Sequence, residues 1–131
     1  MRVPKIILVA GLVALVVLLL SPQRRPPAYN TAAEVTIRGV VDSVQNFYCP
    51  ISGDEGTHLT VATANGTVQV HVAPMRFLGA RRWEFSQGDQ VEVVGSPIVF
   101  HGRDALIART IARGAQTIAL RKPDGRPLWV E

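Results

Sequence analysis

The chain predicts an all-β domain, a five-stranded barrel with a short helix between its third and fourth strands, preceded by one N-terminal hydrophobic helix. Three observations predict it. From Ala33 onward apolar residues recur with a period of two, the strand signature. Turn signals such as Asn65-Gly66, Gln87-Gly88-Asp89, His101-Gly102 and Arg113-Gly114 separate these runs at regular spacing, as in a sandwich or small barrel. Only Pro74–Trp83 breaks the alternation, and its proline suits the first turn of a helix.

The elements follow in order. Val35, Ile37 and Val41 form the apolar side of a long first strand, and Gly39 within it marks a bend or bulge. His58–Thr63 and Thr67–Ala73 alternate around Asn65-Gly66, the strongest short hairpin signal. With Asn65-Gly66 as a two-residue turn, Ala64 pairs with Thr67, Val61 with Val70 and Leu59 with Val72, which makes one consistent inner face. The helical break comes next. Gln90–Gly95, extended by Ile98–Phe100, is a fourth strand, Ala105–Ala112 a fifth, and Gln116–Arg121 a further run. A long glycine-bent strand, a hairpin, a helical link and a second hairpin is the order of the OB-fold.

Residues 1–21 read as a signal-anchor: Arg2 and Lys5 precede an uncharged run from Ile6 to Leu20. Residues 3–22 are long enough to span a bilayer if Lys5 snorkels to the interface. Small residues at cleavage positions are missing just after Leu20, so an uncleaved single-pass anchor in the cytoplasmic membrane is favoured over a cleaved signal that would release the domain to the periplasm. In either case residues 33–131 face the periplasm or the cell exterior. No cysteine follows the apolar run, which excludes a lipoprotein anchor. Residues 22–32 are a proline-rich linker, stiff and extended.

Charge excludes an easy misreading. The formal net charge is +4, which invites a nucleic-acid partner. Residues 26–131, however, carry ten Lys and Arg against ten Asp and Glu, so the whole excess belongs to the anchor and its flank. A single-stranded nucleic-acid binder is therefore disfavoured. No serine sits in a nucleophile elbow and no glycine-rich phosphate loop is present, which points away from an enzyme. The lone Cys49 forms no disulfide within the chain. It pairs between chains, binds a metal or haem, or sits buried and inert.

The segment Gly88-Asp89-Gln90-Val91-Glu92-Val93-Val94-Gly95-Ser96 resembles the G-D-x-V-x-V-x-G opening of the fourth strand in many bacterial OB-fold proteins. Asp104–Arg109 and the ending Leu120–Trp129 resemble small exported OB domains, mostly uncharacterised. The resemblance covers roughly residues 33–129 and implies a fold, without naming a chemistry. The periplasmic haem chaperone of cytochrome maturation is also an anchored OB domain. Its H-x-x-x-Y motif has no counterpart here, since only Val130 and Glu131 follow Trp129.

An OB-fold binds ligands on the face of strands two and three and on the loops flanking it. The alternation puts His58, Thr60, Gln69 and His71 on that outer face, Thr60 opposite His71, with His58 diagonal to His71. The first loop adds Phe47 and Tyr48, and the second adds His101 and Arg103. His58, His71 and Cys49 are the candidate metal ligands, because imidazole and thiolate are the usual donors. The cofactor is left unassigned. The functional expectation is a membrane-anchored, non-enzymatic binding or assembly module that takes a protein partner or small ligand, with a haem or metal carrier as the alternative and single-stranded nucleic-acid binding after that.

Overall fold

The computed structural model describes residues 25–130. The predicted N-terminal hydrophobic helix, with its membrane contact through residues 3–22, lies outside the described residues. Among the described residues no helix is long and apolar enough to cross a membrane.

A 3-10 turn at Thr31–Ala33 leads into six strands and one helix. The strands are β1 (Val35–Cys49), β2 (Asp54–Thr63), β3 (Gly66–Pro74), β4 (Gln90–Phe100), β5 (Arg103–Arg113) and β6 (Gln116–Ala119), and helix α1 (Met75–Ala80) joins β3 to β4. The sheet order is β3-β2-β1-β4-β5-β6. A parallel pairing of Gln69–His71 with Ala105–Ile107 returns β5 to β3 and closes β1 to β5 into a barrel. That connectivity, with the helix between the third and fourth strands, is the OB-fold. The five-strand count is corrected to six. β6 pairs with Thr110–Arg113, further along the same edge of β5 that holds β3.

The barrel core is built from alternate residues of every long strand. Val41, Leu59, Val61, Val70, Val72, Val91, Val93, Leu106 and Ile111 are all buried in one cluster. Ile37 packs against it, while Val35 at the strand's start is exposed. Phe77 and Leu78 of α1 close one end of this cluster, and Trp83, Phe85 and Trp129 pack against its margin.

Two local irregularities position the face turned away from the core. The first lies in β1. The sequence marks Gly39 as the bend, and a Cβ there would strike the Ala62 carbonyl and Val61. The ladder itself slips two residues later, between Val41 and Ser43. One extra residue in a strand sends every later side chain to the opposite face. Val41 therefore points into the core, whereas Phe47 and Cys49, also odd-numbered, stand on the outer face beside Thr60 and His58.

The second irregularity is the β2–β3 turn, where the predicted register is corrected by two residues. Thr63 pairs with Gly66, so Leu59 faces Val70, Val61 faces Val68 and Thr60 faces Gln69. The turn residues are Ala64 and Asn65. Thr63 decides this, because its hydroxyl donates to the Gly66 carbonyl at 2.6 Å and accepts from the Asn65 N–H at 3.2 Å. Gly66 takes the positive φ of 118° that a side chain would resist. A shift of two keeps the faces and changes the partners. His58 now lies directly opposite His71 rather than diagonal to it.

The end of the proline-rich segment is docked onto the barrel. Tyr29 donates its hydroxyl proton to Glu34 at 2.7 Å, and the Asn30 N–H donates to Ser96 Oγ at 2.9 Å.

Candidate functional site

The residues expected on one exposed face divide into a buried cluster and an open groove. Phe47, Thr60, Gln69, His101 and Arg103 line the groove, together with Gln45 and Phe100, and its volume is about 850 Å³. It runs over β2 and β3 beside the β4–β5 turn, where His101 (φ 50°) and Gly102 (φ 74°) both adopt left-handed backbone. Tyr48 is 65% exposed and stands outside it.

His58 and His71 are not exposed, which corrects the expectation that they project outward. They are 1% and 4% accessible. Two neighbours cover them. Phe47 stacks flat on His58, with centroids 3.7 Å apart and planes 5° from parallel. Phe100, at the end of β4, meets His71 edge-on at 4.6 Å and contacts His101 on its other side at 4.2 Å. The two imidazoles meet edge-on at 4.7 Å. A ladder of five rings thus forms the boundary between groove and interior.

Behind the ladder lies Cys49, 3% accessible and so out of reach of a disulfide with another chain. Its Sγ is 3.4 Å from His71 Nδ1. His58 Nδ1 is 3.1 Å from the Gly56 carbonyl oxygen. A carbonyl only accepts, so this nitrogen carries the proton and the lone pair of His58 resides on Nε2. The Nε2 atoms of both histidines are buried without a hydrogen-bond partner. Each such orphan costs about 1–3 kcal/mol. Burial pushes the pKa of His58 down to about 4 despite the Gly56 contact. Burial does the same to His71, also to about 4, with repulsion from His58 and His101 adding to it. Both rings are therefore neutral at pH 7, with lone pairs available.

Donor atoms of Cys49, His58 and His71 all lie within 4.8 Å of one another. The three predicted metal candidates are thus brought together, although they come from three strands with no ligand spacing between them. They border a cavity of about 10 Å³, about the room one water needs. A porphyrin does not fit there, so these residues form no haem pocket.

Sequence reasoning missed two contributors. Arg121, from the segment after β6, lines the same cavity. It donates from Nη1 to the Gly125 carbonyl at 2.9 Å and lies over the rings of Tyr29 and Trp129 at 5.5 and 5.1 Å. Phe100 was legible only as strand. Neither carries a local signal, because each reaches the site through the closure of the barrel.

Comparison with known proteins adds a family. Among curated proteins none matches the chain. A chain in the crystal structure of the S. pombe Stn1–Ten1 complex is 15% identical, with 72% of this chain and 81% of that chain covered, at a TM-score of 0.49. The model of the MamS/MamX magnetosome protein family matches residues 33–118, from the start of β1 through β6. The match takes in the whole barrel, and the chain belongs to the MamS/MamX magnetosome protein family.

Proposed function

We propose that this protein is a membrane-anchored, non-enzymatic binding and assembly module of the magnetosome, which holds a protein partner in the groove over β2 and β3. The groove carries the reading. Its volume of about 850 Å³ is in the range of real ligand sites, and it lies where OB-folds bind. Its lining of Phe47, Phe100, Gln45, Gln69 and Arg103 mixes flat apolar rings with hydrogen-bonding groups, the composition of protein-binding surfaces. The family supports a magnetosome setting. The basic-flanked apolar run at residues 1–21 supports an anchor that leaves the barrel on the far side of the membrane. The absence of catalytic motifs from the sequence supports a non-enzymatic role.

The test is photo-crosslinking of the full chain in its native membrane. A photoreactive residue replacing Gln69 in the groove should give discrete adducts with magnetosome proteins, and one replacing exposed Thr117 on β6 should give none of them. The Arg103→Glu variant should weaken the Gln69 adducts. Identical adducts from both positions, or none from Gln69, would defeat the reading.

A further inference from the structure

The cluster of Cys49 and the two histidine rungs of the ring ladder lines the small buried cavity and not the groove. Its residues contribute almost nothing to the groove surface, yet they hold two unsatisfied nitrogens and a thiol around a small void. Structural packing alone does not call for that combination. An apolar side chain at any of the three positions would fill the same space without orphaned polar atoms.

We propose that Cys49 Sγ, His58 Nε2 and a ring nitrogen of His71 form a three-coordinate site for a single Cu(I) ion. Geometry comes first. The donors already lie within 4.8 Å of one another, and closing on a common ion needs side-chain movements of about 1 Å, since metal–nitrogen and metal–sulfur bonds are about 2.0 and 2.3 Å. The Gly56 carbonyl holds the His58 ring through Nδ1, 3.1 Å away, and leaves the buried Nε2 without a hydrogen-bond partner and so free for an ion. A second-shell acceptor of this kind is what orients metal-binding imidazoles.

Charge and coordination number then select the metal. A thiolate with two imidazoles is a soft donor set, which suits copper and zinc among common ions. Zinc in a closed site takes four ligands, and among the described residues this cluster offers three. Among the described residues the only charged side chain lining the cavity is Arg121, and no carboxylate does. A monovalent ion and a thiolate cancel. A divalent ion leaves a net positive charge buried against a guanidinium, which the dry surroundings penalise. Phe47 and Phe100 exclude water from the histidines and so favour an ion content with three ligands. On binding, the Cys49 thiol would give up its proton to solvent, as a thiolate ligand must. Ile51 and Ser52 of the β1–β2 turn also line the cavity.

The full chain, reduced and metal-free, is titrated without oxygen against Cu(I) held by bathocuproine disulfonate, whose absorbance reports the copper it loses. One Cu(I) should be withdrawn per chain. Cys49→Ser and His71→Gln should each weaken retention by roughly 100-fold while keeping the circular dichroism of the parent. Copper K-edge absorption on the parent protein should show one sulfur and two nitrogen neighbours, a readout independent of whether either variant folds. The proposal fails if no copper leaves the dye, if folded Cys49→Ser retains it equally, if the edge shows no sulfur, or if Zn(II) binds in preference to Cu(I).

Discussion

Tyr29 shows how much a single side chain does at the seam between linker and barrel. Its hydroxyl donates to Glu34, whose carboxylate also accepts from Arg109 Nε at 2.9 Å. The Arg109 guanidinium, with help from Tyr29, holds the Glu34 carboxyl below the usual carboxylate range. Burial, together with the hydrogen bond to Glu34, pushes the Tyr29 pKa up to about 12. A folded-state pKa raised above the unfolded value of about 10 means that this bond contributes fully below pH 10 and is lost as pH rises toward 12. Tyr29→Phe should therefore cost about 1 kcal/mol at pH 7 and flatten the fall in stability between pH 10 and 12, as read by urea unfolding across that range. At the ring ladder, Phe47→Leu should cost about 1 kcal/mol by losing the stack on His58, measured in the same way at pH 7. If the groove is the binding surface, that variant should also weaken the Gln69 adducts.

At the scale of the element, β1 is the decisive strand. It pairs with β4 through its first half and with β2 through its second, and Gly39 sits where the two ladders overlap. A methyl group there collides with the Ala62 backbone, which cannot turn away, as well as with the Val61 side chain. Gly39→Ala should cost about 1–3 kcal/mol or more. Gly66→Ala meets no neighbour and suffers only from its positive φ, so about 1 kcal/mol is expected. Thermal unfolding of the two variants should show the larger loss at Gly39, and the reverse order would refute the close approach of β1 and β2. The slip between Val41 and Ser43 matters more for function than for stability. Without it Phe47 and Cys49 would point into the core, and neither ladder nor cluster would exist.

For the whole molecule, the distribution of charge governs partner choice. The balanced charge of residues 26–131 offers no counterion-release drive toward a nucleic acid. The full chain at 50 mM salt is expected to leave the mobility of a single-stranded oligonucleotide unchanged, and a salt-sensitive shift that depends on Arg103 would contradict this. The same closure that joins β3 to β5 also gathers the site. Cys49, His58, His71 and Arg121 come from four separate segments, and only a barrel brings them to one cavity.

The order of elements along the chain, the helix after β3 and the core faces of β2, β3 and β4 were legible in the residues, because a period of two and the turn chemistry act locally. That Phe47, Thr60, Gln69, His101 and Arg103 would border one face was legible too, since OB topology tells which face and loops to watch. Burial of the histidines, their direct pairing and the company of Cys49 and Arg121 were not. A one-residue slip in β1 and a two-residue shift set by the Thr63 hydroxyl are small energetic choices made among competing hydrogen bonds, and the sequence pattern is nearly indifferent to them. Tertiary packing settled them, because only the closed barrel with its ring ladder in place makes one register better than its neighbours.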